Sequence, residues 1–171
     1  MRNALVEELG QLSPEAMYHP DTFSTSREKY YEVLFTVQNK VKRAYGRGRR
    51  EGDISVQHNL NHYGPHLSIW VLVSTLDFSD LSKIYALLDI QSQTRVAKML
   101  GVDTTTIDLR TRQRGGSRRR GHPFESWLRQ LTLVRNKCAH HGRLWNTEVI
   151  PASSASLRGI AGLETLPSEQ S

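Results

Sequence analysis

Four side chains that can bind a phosphate or move a proton lie close together near residue 140. Arg135, Asn136, His140 and His141 fall within seven positions, at the end of the apolar-striped segment 124–141. A guanidinium pairs with a phosphate through two parallel hydrogen bonds, and an imidazole takes up and releases a proton near neutral pH. No other stretch of the sequence combines both abilities, so this one predicts a phosphate site with proton transfer.

The spacing of these residues on a helix leaves two interpretations open. Asn136 and His140 share one face, whereas Arg135 and His140 diverge by roughly 140° and lie about 7.5 Å apart along the axis. A composite phosphate site is possible, most readily where two copies of the helix line one cleft. A plain cationic helix end is the simpler interpretation, because positive side chains favour the negative end of the helix dipole.

Metal binding is a weaker hypothesis for both histidine-containing stretches. One set is too compact in sequence for an ordinary tetrahedral site: Cys138, His140 and His141. The other has helical spacing that Gly64-Pro65 interrupts: His58, His62 and His66. We therefore expect no metal site.

Two basic runs add to the phosphate hypothesis. Residues 40–50 and residues 110–120 each carry six cations and no acid. Such runs are either solvated loops or contacts for a polyanion, since each neutralised phosphate adds salt-sensitive affinity. The net charge of +6 agrees with a polyanionic partner.

Apolar spacing predicts the helices that must position the cluster. The clearest spans Thr25 to Lys42, where five residues share one face: Tyr30, Val33, Leu34, Val37 and Val41. Helical spacing also appears over residues 5–17, where Ser13-Pro14 either breaks the helix or starts a new one. Residues 92–100 continue the helical pattern, and Gly101 is expected to end it.

The middle of the chain is assigned on weaker patterns. Residues 69–76 are apolar and partly β-branched, but without a second strand of similar strength we interpret them as a buried helix. Ser79 or Asp80 is expected to cap the helix that follows, which runs through Leu88. Residues 58–66 are polar and contain a turn at Gly64-Pro65.

The last helix carries the cluster. Pro123 suits its first turn and Gly142 its end, and its apolar stripe is Trp127, Leu131, Val134 and Cys138. The chain then becomes small and polar, and we expect residues 147–171 to form a flexible, disordered tail. The predicted fold class is all-α.

Composition excludes several classes of protein. A chain of 171 residues with 37% hydrophobic and 23% charged residues is typical of one soluble globular domain. No apolar run approaches the ~20 residues of a membrane span, and the N-terminus does not fit a secretory signal. A single cysteine leaves no internal disulfide framework and fits a reducing compartment. We expect a cytoplasmic protein with no membrane partner.

Two sequence blocks resemble a known family. Arg135 to His140 resembles the Arg-x4-His signature of the HEPN superfamily, and LRQLTLVRNKCAHHGRLWN (128–146) resembles the signature of its Abi-like, abortive-infection family. A second block, HYGPHLSIWVLVSTLDFSDLSKIYALL (62–88), is similar to the mid-domain pattern of that family. Both blocks occur in the expected order.

The resemblance implies an all-α, HEPN-like helical bundle that dimerises so that two motif helices face one cleft. It also implies a metal-independent RNA endonuclease that acts through the 2′-hydroxyl and needs no metal or organic cofactor. His140 would transfer the proton, Arg135 would hold the scissile phosphate, and Asn136 would orient the phosphate or His140. His141 is the second choice of acid, and Lys137 would contact the RNA backbone.

On the same resemblance, residues 1–146 would form an N-terminally shortened Abi-like/HEPN domain, in which the basic loop at 110–122 is an insert outside the family pattern. RNA-backbone contacts are expected from arginines of this loop and from one after the motif: Arg112, Arg114, Arg118, Arg119, Arg120 and Arg143. The expected role is RNA cleavage in an abortive-infection or toxin-like phage-defence system, with an antitoxin or trigger as a further partner. Two alternatives stay open: a catalytically silent RNA- or partner-binding HEPN module, and a truncated, inactive family member.

Overall fold

The computed structural model describes residues 1–46, 51–102 and 122–145. These ranges contain seven α-helices and no strand, which confirms the all-α prediction. The helices are α1 (Arg2–Gly10), α2 (Arg27–Tyr45), α3 (Ile54–His62), α4 (Ile69–Leu72), α5 (Phe78–Tyr85), α6 (Ile90–Met99) and α7 (Pro123–Ala139).

The chain divides into two compact units, Met1–Val96 and Ala97–Ser171. Most of the expected basic loop 110–122 and the whole of the expected tail 147–171 lie outside the described residues. Among the helices that are described, none is long and apolar enough to cross a bilayer.

Helix α1 packs against α4 and α5 in the first unit. Its Leu5 and Leu9 are fully buried, and so is the carboxylate of Glu8. That carboxylate accepts hydrogen bonds from the Arg95 guanidinium on α6, at distances of 2.6 to 3.2 Å. A bidentate ion pair therefore ties α1 to a helix that lies far away in sequence.

Ser13-Pro14 lies after α1 and does not interrupt it. The helix ends at Gly10, and Ser13 Oγ accepts the Glu15 N–H at 3.1 Å at the start of the next turn. That turn is a short 3-10 helix, Ala16–Tyr18.

Helix α2 confirms the predicted apolar face. Ser26 caps its N-terminus by accepting the Lys29 N–H at 3.3 Å, and Tyr30, Val33 and Val37 are buried. The helix continues three residues beyond the predicted end, to Tyr45. Gly46 then turns the chain with a φ of 86°, in the region that favours glycine.

The start of the first basic run, Lys40 to Arg43, lies on α2. Lys40 Nζ lies 2.6 Å from Asp77 Oδ2 and 3.2 Å from Asp80 Oδ2. The hydrogen bond from Lys40 lowers the pKa of the Asp77 carboxyl, so the pair stays charged. Lys40 thus joins α2 to α5 instead of being a free contact for a polyanion.

Helix α3 was not predicted, since residues 58–66 were expected only to be polar and to contain a turn at Gly64-Pro65. Its sequence is polar because it buries only Val56 and Asn59. An aspartate starts it, since Asp53 Oδ1 accepts the N–H groups of Ser55 and Val56 at 2.8 and 3.1 Å. The turn itself follows the helix, at Gly64, with a φ of 106°.

The C-terminus of α2 is bonded to the N-terminus of α3. The Asp53 N–H donates to Ala44 O at 2.7 Å, and Gln57 Nε2 donates to Tyr45 O at 2.9 Å. A Cβ on Gly52 would overlap the Tyr45 carbonyl oxygen, so only glycine fits this approach. These contacts fix the α2–α3 pair and satisfy carbonyls that a helix end leaves open.

The interpretation of residues 69–76 as helical is confirmed, since α4 continues into a 3-10 turn, Val73–Thr75. The expected cap of α5 was wrong. Asp77 is the N-cap: its Oδ1 accepts the Asp80 N–H, and Asp80 Oδ2 accepts the Asp77 N–H, both at 3.1 Å. This reciprocal arrangement is a capping box, and the helix ends at Tyr85, not at Leu88.

Helix α6 ends as predicted, with Gly101 in the left-handed region at a φ of 78°. Its first half is bonded to α5 through a buried reciprocal pair. Tyr85 Oη donates to Gln93 O at 3.1 Å, and Gln93 Nε2 donates to Tyr85 O at 3.0 Å.

Candidate active site at the end of helix α7

Helix α7 begins at a buried histidine that the sequence patterns did not single out. His122 is 1% exposed, and its Nδ1 accepts the Phe124 N–H at 3.2 Å. Burial lowers the pKa of the imidazole, because desolvation penalises the charged form. Pro123 takes the first helical position, as predicted. Histidine is not among the preferred N-cap residues, which is why local patterns did not indicate this cap.

The buried face of α7 differs from the predicted stripe. Phe124 and Leu128 are 7% and 2% exposed. The predicted stripe is half-buried or exposed instead: Trp127, Leu131, Val134 and Cys138. The helix itself was predicted correctly, but the face that it buries was not.

The face that is buried at the start of α7 is open at its end. Leu131 and Cys138 follow Phe124 at i+7 and i+14, so the three residues lie in one row along the helix. Leu131 is 52% exposed, and Cys138 is exposed as well. Arg135 lies between them in this row and is also exposed. The last turns of α7 therefore present an apolar row with an arginine in it.

Asn136 is bonded to both of the main candidate residues. Its Oδ1 accepts a hydrogen bond from Arg135 Nη1 at 3.1 Å, and its carbonyl oxygen accepts the His140 N–H at 3.0 Å. Its side chain therefore orients Arg135, while its contact with His140 is through the main chain. Arg135 and His140 are exposed, and Asn136 is half-buried.

The end of α7 is held by a complete capping arrangement. His141 N–H donates to Cys138 O at 3.0 Å, and Gly142 N–H donates to Lys137 O at 2.7 Å, with His140 as the C-cap. This pair of bonds is a Schellman motif, which needs a left-handed residue. That residue is His141, with a φ of 55°, and not the glycine that the sequence had suggested.

Gly142 has a different role in this arrangement. A Cβ at this position would lie 2.7 Å from Lys137 Cγ and 3.0 Å from Lys137 O. The absence of a side chain therefore lets the chain fold back over the last turn. His140 and His141 are both exposed at the end of the helix.

The end of α7 is strongly cationic. Residues 135–145 contain three cations, Arg135, Lys137 and Arg143, and no acid. The acid on α7 is Glu125, which lies in the first turn, about 15 Å along the axis from Arg135. This end can therefore bind an anion, and its imidazoles can move a proton next to it.

The residues predicted to contact the RNA backbone lie partly within the described ranges. Arg143 is exposed just beyond the helix, and Lys137 is half-buried beside Gly142. The arginines of the expected basic loop lie outside the described residues: Arg112, Arg114, Arg118, Arg119 and Arg120. In residues 1–46, 51–102 and 122–145, no three histidine, cysteine or carboxylate side chains come together as a metal site would require.

The Abi-like protein family matches the chain over residues 1–146, a range that includes all seven helices and the motif. The chain belongs to the Abi-like family. This confirms at the family level the resemblance of the two sequence blocks, and it supports a function of the abortive-infection type. No curated protein and no solved structure matches the chain.

Proposed function

We propose that this Abi-like protein is a metal-independent RNA endonuclease of the HEPN type, acting in a toxin-like phage-defence system. The observation that carries the proposal is the continuous connection at the end of α7. Arg135 is hydrogen-bonded to Asn136, and Asn136 is bonded to the backbone of His140. This connection lies at an exposed, capped helix end, and residues 135–145 contain no acid.

The chemistry uses the ribose of the substrate as the nucleophile. His140 takes the proton of the 2′-hydroxyl while the 2′-oxygen forms a bond to the adjacent phosphorus. The bond between phosphorus and the 5′-oxygen breaks, and a second imidazole donates a proton to that oxygen. Arg135 holds the non-bridging oxygens and stabilises the charge that develops on them. The products are a 2′,3′-cyclic phosphate and a 5′-hydroxyl.

A second copy of the chain completes the site. Arg135 and His140 diverge by roughly 140° around one helix, so one copy does not aim both at the same phosphate. The exposed row that includes Leu131 and Cys138 leaves an apolar surface beside the motif for a second copy to cover. In the dimer, Arg135 of one copy and His140 of the other act on one phosphodiester, and the second imidazole comes from His141.

The RNA strand continues along cationic side chains. Arg143 is exposed next to the motif and would neutralise a flanking phosphate, as would the arginines between residues 112 and 120. An antitoxin or trigger partner would control access to this surface in the cell.

Cleavage assays of purified variants test the proposal. Wild type is incubated with single-stranded and structured RNA in EDTA, beside His140→Ala and Arg135→Ala. We expect the wild type to cut and each variant to lose about a hundredfold in rate or more, since proton transfer and charge stabilisation each contribute on this scale. The product ends should be cyclic phosphate and 5′-hydroxyl, and RNA with 2′-O-methyl groups should resist cleavage.

Matched variants separate the site from general effects of charge. Arg129→Ala removes an exposed arginine from the same helix, and His19→Ala removes an exposed histidine from the first unit. Both should cut like the wild type. If all variants and the wild type bind RNA equally and none cuts it, the chain is the silent binding module instead. Loss of wild-type cleavage in EDTA would contradict the metal-free mechanism.

A further inference from the structure

A cleft opens between the C-terminal half of α2 and the end of α3, inside the first unit. Its volume is about 750 Å³, within the roughly 300–1,000 Å³ typical of small-ligand sites. Aromatic, amide and cationic side chains line it: Tyr18, Gln38, Lys42, Tyr45, Asn61 and His66. None of these residues belongs to the candidate active site on α7.

One wall of the cleft is a stacked aromatic pair. The rings of Tyr18 and His66 lie 4.2 Å apart between centroids and are nearly parallel, at 12°. Tyr18 Oη accepts the Leu67 N–H at 3.2 Å, and His66 Nδ1 lies 3.1 Å from Glu15 Oε2. Both rings are thereby held in place. The His66 side chain is 46% exposed, so it is the ring of the pair that is more open to a ligand.

A third aromatic ring spans the two helices. Tyr45 is 41% exposed, and its hydroxyl donates to Asn61 Oδ1 at 3.4 Å. The backbone at Tyr45 is fixed by the hydrogen bond from Gln57 and by the close approach of Gly52. The cleft is therefore formed before any ligand arrives, which lowers the entropic cost of binding.

The polar groups in the cleft match the parts of a nucleotide. Gln38 and Asn61 each offer an amide donor and acceptor for the edge of a base. Lys42 is exposed and, in the part of the chain that the structure describes, pairs with no carboxylate, unlike Lys40. Aromatic faces accept any base by stacking, and an unpaired lysine attracts phosphate.

We propose that the α2–α3 cleft binds a nucleotide, with its base stacked on the Tyr18–His66 pair and its phosphate at Lys42. The proposal stands apart from the RNA-cleaving site, because every residue that it uses lies in the first unit. The ligand is either a free nucleotide or one nucleotide of a single-stranded RNA.

Binding measurements on the full chain test the cleft. The His140→Ala chain is titrated calorimetrically with each ribonucleoside 5′-monophosphate and with a short single-stranded RNA, which this variant leaves intact. His66→Ala should weaken binding at least about fivefold, the lower end of what a base–aromatic stack contributes. Tyr45→Ala should weaken it too, because the Tyr45 ring lines the cleft between the two helices and holds Asn61. Lys42→Gln should lower the slope of log affinity against log salt by about 0.7 for the single strand.

Two further variants control for effects on folding and on the exposed surface of α2. Gln38→Glu places a negative charge at an exposed helical position that lines the cleft, and it should weaken binding without changing the thermal midpoint. Tyr31→Ala removes a tyrosine of the same helix that is 55% exposed outside the cleft, and it should bind like the parent chain.

The two ligand classes distinguish the source of the nucleotide. Binding of monophosphates that depends on His66 and Tyr45 indicates a free nucleotide, and the same dependence for the single strand alone indicates a nucleotide within RNA. The proposal is overturned if neither ligand binds, or if His66→Ala, Tyr45→Ala and Gln38→Glu all bind like the parent. Monophosphates contain no phosphodiester bond to cleave, so this result does not depend on whether α7 forms an RNA-cleaving site.

Discussion

Replacing Arg95 by methionine should destabilise the first unit through the carboxylate that the arginine leaves behind. Glu8 has a side chain only 2% exposed, whereas the Arg95 side chain is 52% exposed. Arg95 Nε and Nη2 donate to both carboxylate oxygens at distances from 2.6 to 3.2 Å. Without them, a buried charge loses its partner while methionine keeps much of the apolar stem of the arginine.

The size of the effect follows from these two exposures. Breaking a fully buried ion pair costs about 3–5 kcal/mol, and an exposed pair contributes about 0–1 kcal/mol. Because Arg95 is half exposed, water can reach the open side of the pair, and we expect a loss of about 2–3 kcal/mol. At about 2–4 °C for each kcal/mol in a chain of this size, the thermal midpoint should fall by about 4–12 °C.

The assay is denaturant and thermal unfolding followed by circular dichroism, with a matched pair as the control. Arg27 Nη2 lies 2.6 Å from Asp21 Oδ1, as close as the buried pair, but these side chains are 59% and 88% exposed. Arg27→Met should therefore cost less than about 1 kcal/mol. The double variant Glu8→Met/Arg95→Met should recover most of the loss, because no buried charge remains.

The explanation is tested by comparing the destabilisation of Arg95→Met with that of Arg27→Met and of the double variant. If Arg95→Met is no more destabilising than Arg27→Met, burial of Glu8 does not determine the strength of the pair. If the double variant is as unstable as Arg95→Met, the loss comes from packing and not from the unpaired carboxylate.

Four other changes should have measurable effects. Burial lowers the pKa of His122 in the folded chain. The neutral imidazole should therefore contribute its full stabilisation above about pH 6.5, the pKa of an unfolded histidine, and this stabilisation should be lost as the pH falls through the lowered pKa of the folded chain. In His122→Asn this part of the pH dependence of the unfolding free energy should vanish, and an unchanged dependence would exclude His122 as its source. His141→Gly should raise the unfolding free energy by about 0.5–1 kcal/mol, because glycine relieves the left-handed backbone at a φ of 55°; a loss of stability would contradict this. Gly52→Ala should lower the unfolding free energy by about 2 kcal/mol or more, since the added Cβ would overlap the Tyr45 carbonyl oxygen. An unchanged unfolding free energy in the same assay would show that the two backbones are not this close. Oxidation should link two chains by a disulfide through Cys138, which is exposed in the open row of α7. Non-reducing gels measure this, with Cys138→Ser as the control. A wild type that stays a monomer would contradict a dimer in which the two rows face each other.

The helices that the sequence predicted well are those with a regular apolar period. Tyr30, Val33 and Val37 recur at helical spacing on α2, and burial of one face follows from that spacing alone. Helix α3 lacks this signal, because it buries only two residues and depends on the Asp53 cap and on the carbonyls at the end of α2. Its polar sequence therefore gave no indication of a helix before the turn at Gly64-Pro65.

Tertiary contacts explain the other differences. The period of α7 predicted a helix, but the face that is buried depends on what packs against it, so Phe124 and Leu128 replaced the expected stripe. The cap at Asp77 was missed because two aspartates form the box instead of the more usual Ser/Thr and Glu.

The residues of the candidate site could be predicted from their types, but their arrangement could not. The motif itself indicated Arg135, Asn136 and His140. The bond from Arg135 to Asn136 and the left-handed His141 became visible only with the backbone in place. The α2–α3 cleft has no local pattern at all, since it joins Tyr18, Tyr45 and His66 from three separate segments.

The most direct test of a shared RNA-cleaving site is complementation between two inactive variants. Arg135→Ala and His140→Ala are purified separately, mixed under conditions that allow exchange of chains, and assayed for RNA cleavage in EDTA. A mixed dimer has one site with both an intact Arg135 and an intact His140, one from each copy, so we predict that mixing restores cleavage that neither variant shows alone. A mixture that exchanges chains and remains as inactive as its components, while the wild type cuts, would contradict the account.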